Sequence, residues 1–168
     1  MTGTADWLRM MARYNSWQNG WMIPAAGSLT EAERQQERGA FFGSISATLC
    51  HILWADTLWM SRFDGGAAPT VPGAQSTEFH KEWDSFCEQR KLTDQRIVDW
   101  AAGLSDGDMS GDITWFSGLK QSDISQPKSL IYTHVFNHQT HHRGQVHAML
   151  TQAGVKTADT DLVFMESA

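Results

Sequence analysis

Five of the seven histidines fall within fourteen residues near the end of the 168-residue chain, and this cluster constrains the fold more than any other feature. They are His134, His138, His141, His142 and His147. Histidines four residues apart lie one helical turn apart on the same face, where both imidazoles can reach one ion. The pairs His134/His138 and His138/His142 have this spacing, so the pattern predicts a helix able to bind a metal.

An apolar stripe distinguishes the two pairs. The predicted core-facing positions of this helix are Ile131, Val135, His138, His142, Gln145 and Met149. Two of the histidines therefore point inward between apolar neighbours, whereas His141 is rotated away. The sequence predicts that His138 and His142 form the ligating pair.

A third ligand is expected from a facing helix, because two imidazoles on one helix rarely hold a divalent ion tightly. His51 is the candidate, since it lies in the almost wholly apolar segment Leu49–Trp54, where a lone imidazole would be costly. A histidine that only makes hydrogen bonds within the core is the competing interpretation. His80 lies among charged residues near a predicted helix start, and we expect it to be exposed to solvent.

Apolar residues at steps of three and four predict four long helices. The predicted spans are Trp7 to about Pro24, Phe41 to about Phe63, about Ser76 to Leu104, and 127–153. The stretch Gly65–Gly73 is rich in glycine and proline and is expected to be a loop. Ile113–Phe116 and Leu119–Ile124, on either side of Ser117-Gly118, predict a short β-hairpin before the last helix. The fold class is therefore all-α, a four-helix bundle.

Length and composition limit the classes of partner. A chain of this length is expected to form one domain, residues 1–168. The net charge is −6 and the basic residues are scattered, which disfavours nucleic acid as a partner. There is no apolar run of roughly 18 to 20 residues and no basic, apolar leader, so we expect no membrane partner and a cytoplasmic location. Cys50 and Cys87 are expected to remain thiols.

Three segments resemble the DinB/YfiT-like superfamily of metal-binding four-helix bundles. The segment His138–Gln145 (HQTHHRGQ) is similar to its H-x3-H pair running into H-R-G-Q. Leu49–Asp56 resembles the ligand region of its second helix, and Tyr14–Asn19 resembles its first-helix Y-N-x-W-x-N pattern. The resemblance implies an antiparallel bundle with an up-down-down-up order and a homodimer. It also implies a divalent metal held by His51, His138 and His142.

Three neutral imidazoles would leave such an ion its full charge and at least one open position, which is typical of reactive sites. The ion could then lower the pKa of bound water or bind a thiol as its thiolate. Zinc and nickel suit imidazole ligands best, and iron and manganese are also compatible with them.

Residues around the ligands are also predicted. Each ligating ring should donate its other N–H to an acceptor, for which the candidates are Asn15, Asp56 and Gln145. Arg143 lies about 100° around the helix from His142. We expect Arg143 to point to a bundle edge, where it would bind an anionic group or an acidic neighbour.

The resemblance also bears on function, because the superfamily includes thiol-dependent S-transferases and isomerases that use low-molecular-weight thiols. The leading hypothesis is a metal-dependent enzyme of the thiol S-transferase type, acting on a small-molecule substrate with a low-molecular-weight thiol as cosubstrate. One alternative is a metal-dependent hydrolase that uses hydroxide bound to the metal. The other is a non-catalytic, stress-associated dimer that binds metal.

Overall fold

Four long helices carry most of residues 3–165, the part of the chain that the computed structural model describes. The helices are α1 (Thr4–Gly27), α2 (Glu31–Gln35), α3 (Ile45–Asp64), α4 (Trp83–Ala102) and α5 (Lys128–Gln152), and only α2 is short. Short 3-10 segments occupy Gly73–Glu78, Asp106–Met109 and Leu162–Phe164. The strands β1 (Asp112–Ser117) and β2 (Ser122–Pro127) form an antiparallel hairpin before α5. The predicted fold class is therefore confirmed, including the hairpin.

Contacts along α1 and α5 show that these two helices run in the same direction. Trp7 packs against Phe136 near their N-terminal halves, with ring centroids 5.8 Å apart. Trp21 packs against His147 near their C-terminal halves, at 5.5 Å. Helix α1 also continues to Gly27, three residues past its predicted end near Pro24.

Helices α3 and α4 run in the opposite direction to α1 and α5. Ion pairs join Asp56 to Arg90 and Asp64 to Arg96, so α3 and α4 are parallel to each other. Asn15, in the middle of α1, donates to Asp94 in the middle of α4. Helices α3 and α5 are antiparallel, because His51 lies beside His138 whereas Phe63, later on α3, packs on Tyr132, earlier on α5. The implied up-down-down-up order is confirmed.

Helix α3 begins four residues later than the predicted start at Phe41. The Ser44 side chain caps it by accepting a hydrogen bond from the Ala47 N–H at 3.2 Å. Before this cap, Gly39 and Gly43 have φ values of +76° and +79°. These left-handed conformations turn the chain, so Phe41 and its neighbour lie in a tight turn and not in the helix.

The third long helix begins at Trp83, seven residues after its predicted start near Ser76. The preceding segment is instead packed against α3: a Cβ on Gly73 would lie 3.2 Å from the Trp54 ring, and the Cys50 thiol donates to the His80 carbonyl. These contacts with α3 compete with helix formation. The prediction that His80 is exposed is wrong, because its ring is half-buried with Nδ1 3.0 Å from the Ser85 hydroxyl.

The hairpin turn is longer than predicted. It comprises residues 118–121, with Gln121 in the left-handed region at φ +52°, so the second strand starts three residues later. Trp115 on β1 pairs directly with Ile124 on β2. The hairpin contacts α5 and brings these two side chains over its first turns.

The core consists of two apolar clusters separated by a polar layer that crosses all four long helices. One cluster includes Met22, Leu53, Phe86 and Leu150, and the other includes Leu8, Met60, Ile97 and Phe136. The polar layer comprises Asn15, Asn19, Asp56, Arg90, Asp94, Gln139 and Arg143, all buried. Both cysteines are free thiols, as predicted. No helix in the described part of the chain is long and apolar enough to cross a membrane.

Candidate metal centre

His51 from α3 meets His138 and His142 from α5 at the level of the polar layer. One ring nitrogen from each can be chosen so that all three atoms lie within 4.8 Å of one another. The Nε2 atoms of His51 and His138 are 3.1 Å apart. Two nitrogens bound tetrahedrally to one zinc ion would be separated by about 3.3 Å, so this spacing suits a shared ion.

Two of the three imidazoles are oriented by hydrogen bonds at Nδ1, the ring nitrogen that does not face the centre. His142 Nδ1 lies 2.8 Å from Gln145 Oε1, one turn along the same helix. His51 Nδ1 lies 2.9 Å from the hydroxyl of Ser76, which is buried in the loop before α4. Because Nδ1 is engaged in both rings, each presents its Nε2 to the centre.

Gln145 is one of the three predicted acceptors, whereas sequence reasoning missed Ser76. Gln145 could be found because it follows His142 by three residues on one helix face. Ser76 lies 25 residues after His51, and only the packing of its loop brings it to the ring. No periodic pattern in the sequence signals that contact.

Burial lowers the pKa of all three imidazoles, and repulsion from neighbouring histidines lowers each of them further. The pKa of His51 falls to about 3, mainly through burial and then through the neighbouring His138 and His142. The pKa of His138 falls to about 4, again mainly through burial. Burial also lowers the pKa of His142, although Gln145 opposes this shift. At neutral pH the rings are therefore uncharged and offer lone pairs to a cation.

Aromatic side chains form the walls around His51. The Phe42 ring, in the turn before α3, has its centroid 4.0 Å from that of His51 and 5.3 Å from that of His142. Trp54 stacks near His51 at 6.3 Å, and its indole N–H donates to the Val71 carbonyl. The centre is thus bounded by apolar surfaces, although His51 itself remains partly accessible.

Asn15 and Asp56 do not reach the imidazoles, contrary to the prediction. The Asn15 amide donates to the Asp94 carboxylate at 2.8 Å. Asp56 accepts from Gln139 at 2.9 Å and from Arg90 at 2.6 Å. Both belong to the polar layer, because they lie on helix faces that point to the bundle axis and not to the histidines.

Arg143 does not point to a bundle edge, so that prediction is wrong. Its side chain is only 3% exposed, donates to the side-chain oxygen of Asn15 and lies 5.6 Å from the Tyr14 ring centroid. Because α1 packs beside α5, the face adjacent to His142 is covered and not open. Burial lowers the pKa of Arg143 to about 10, which still leaves it charged at neutral pH. Arg143 is a buried cation of the polar layer, with no open face for an anionic ligand.

The other clustered histidines lie outside the centre. His134 packs edge-on against Trp59, with centroids 5.6 Å apart, and His147 packs against Trp21. His141 is exposed, as its predicted rotation away from the core requires. The five-histidine cluster therefore supplies two of the three residues at the centre.

The fold and this centre together define a class: four-helix bundles in which three histidines are placed to hold a metal ion. The sequence matches the DinB family over residues 1–168, and the chain belongs to this family. It is 26% identical over 158 residues to Protein DinB of Bacillus subtilis (strain 168), across 94% of this chain and 92% of that protein. The crystal structure of a DinB-like protein from Bacillus cereus ATCC 10987 has a similar fold, with a TM-score of 0.58 at 20% identity. That match covers 86% of this chain and 91% of the Bacillus cereus chain.

Proposed function

We propose that this protein binds one divalent metal ion through His51, His138 and His142 and acts as a metal-dependent enzyme of the thiol S-transferase type. The observation that carries the proposal is the convergence of three uncharged imidazoles from two helices. Zinc and nickel are the ions best suited to this ligand set, with iron or manganese also compatible.

Three protein ligands leave room for a further ligand, which distinguishes reactive from structural zinc sites. When bound, such an ion would supply a positive charge that stabilises the thiolate form of a small thiol at neutral pH. The residues of the chain support this by holding the rings: Ser76 and Gln145 fix the orientation of His51 and His142. The Phe42 ring shields one face of the His51 imidazole from water.

The test begins with metal content. The purified protein should bind about one equivalent of zinc or cobalt, and His142→Ala should lose stoichiometric binding. His141→Ala is the matched control, because it removes the neighbouring imidazole of the same helix, which is exposed. Equal binding by both variants would refute the three-histidine centre.

The thiol is tested on the cobalt-substituted protein by visible absorption. Titration with 2-mercaptoethanol, cysteine or glutathione should change the ligand-field bands and add a sulfur-to-cobalt charge-transfer band. Unchanged spectra with every thiol would overturn the S-transferase proposal while leaving metal binding intact. Ester or amide turnover without any thiol would then support the hydrolase, and the absence of turnover would support a non-catalytic metal-binding protein.

A further inference from the structure

A cavity of about 540 Å³ lies beside the metal centre, between the β-hairpin, α3 and α5. Its size falls within the roughly 300–1,000 Å³ range of small-molecule sites. Trp59 and Trp115 form one side, and Ile124, Leu130 and Ile131 extend the apolar surface. Within the described residues 3–165, the side chains that line the cavity include no Asp, Glu, Lys or Arg.

The two indole rings form a corner. Their centroids are 5.3 Å apart and their planes meet at 76°, so a flat ring placed in the corner can stack on one and meet the other edge-on. The Arg62 guanidinium packs on both indoles, 4.4 Å from the Trp59 centroid and 5.2 Å from that of Trp115. This cation–π contact holds the corner in place.

One side chain lies between the cavity and the metal centre. His134 lines the cavity, and its ring centroid is 5.7 Å from that of His138. Polar contacts for a ligand come from His134, Asn137 and Gln126. Two of these side chains are neutral amides, and the third is an imidazole. A ring held by the tryptophans would therefore place a polar substituent toward the histidine side of the cavity.

We infer that this cavity binds an uncharged aromatic compound of one or two fused rings, with a hydroxyl or carbonyl substituent directed toward Asn137 and His134. The identification of this cavity as the substrate site of the enzyme rests on the proposed function, and the aromatic compound is then its substrate class. The binding itself depends only on the cavity.

The test is a direct binding measurement on the full-length protein labelled with ¹⁵N, once free of metal and once loaded with zinc. The probe is 2-naphthalenemethanol, and the indole N–H signals of Trp59 and Trp115 are monitored by NMR. Both should shift on titration, whereas the signal of Trp83, at the other end of the bundle, should not. The anionic analogue 2-naphthoate should bind at least about tenfold more weakly, because no Lys or Arg is among the lining residues and the nearby Arg62 guanidinium already packs on the two indoles.

Adjacent residues of β1 provide a matched pair of variants. Trp115→Ala should weaken binding by about tenfold or more through loss of one aromatic wall. Phe116→Ala should bind like the native protein, because Phe116 points to the opposite face of the strand and is 60% exposed. Near-ultraviolet circular dichroism of both variants verifies that the bundle is folded.

The outcomes separate this inference from the proposed function. If the alcohol shifts both indoles but no metal binds, the cavity is a ligand site and the enzyme proposal fails. If zinc binds stoichiometrically and the alcohol shifts neither indole, the inference is overturned alone. It is equally overturned if sedimentation shows a dimer that Trp115→Ala dissociates and Phe116→Ala does not, because a second copy then covers the cavity.

Discussion

The side-chain amide of Gln139 donates to the Asp56 carboxylate at 2.9 Å, and both residues are buried. This hydrogen bond links α5 to α3 one residue after His138 and five residues after His51. Asp56 in turn receives the Arg90 guanidinium from α4 at 2.6 Å. The polar layer thereby sets the relative position of the helices that carry the three histidines.

The two ion pairs between α3 and α4 should differ strongly in their effect on stability. Asp56→Leu removes one of the two carboxylate partners of Arg90, which keeps its contact with Asp94 at 2.8 Å, and it also removes the acceptor of the Gln139 amide. Because both remaining groups are buried, the variant should lower the free energy of unfolding by about 3 kcal/mol. Asp64→Leu breaks the more exposed pair with Arg96 and should cost about 1 kcal/mol or less. Urea unfolding of both variants measures the difference, and similar costs would contradict this account of the layer.

The hydrogen bonds to the ring nitrogens should control metal affinity. Ser76→Ala and Gln145→Ala each remove a partner of a ligating imidazole and should weaken zinc binding by about 10–100-fold. Gln152→Ala, at the exposed end of α5, is the control and should bind zinc like the native protein. Competition with a chromophoric chelator gives the dissociation constants, and undiminished affinity in Ser76→Ala would show that the contact with His51 does not orient the ring.

These residues show what sequence reasoning can reach. His138 and His142 follow from a four-residue spacing on an apolar stripe, which is a local property of one helix. The order of the helices came from the family resemblance, since periodicity carries no direction. Arg143 was misplaced because its surroundings depend on how α1 packs against α5, and that packing is set by tertiary contacts such as the one with Asn15. The homodimer and the cytoplasmic location stay predictions.

Acidification should destabilise the metal-free protein through the same imidazoles. In the unfolded chain these histidines take up protons below their ordinary pKa of about 6.5, whereas the folded-state pKa is about 3 for His51 and about 4 for His138. The unfolded state therefore binds more protons, so the free energy of unfolding falls as the pH drops from about 7 toward about 4. Urea unfolding at a series of pH values measures the slope. His51→Asn should flatten it, and an unchanged slope in that variant would show that His51 does not contribute.

The turn before α3 should govern how the centre is shielded. The Phe42 ring packs 4.0 Å from the His51 ring, whereas the adjacent Phe41 is 80% exposed. Phe42→Ala admits water to one face of the imidazole, which stabilises its protonated form and should raise the pKa of His51 from about 3 toward 6.5. The same variant should release zinc to a chelator faster than the native protein, while Phe41→Ala should match it. NMR titration of the metal-free protein and stopped-flow chelation test the two effects, and equal behaviour of the two variants would exclude Phe42 as the shield.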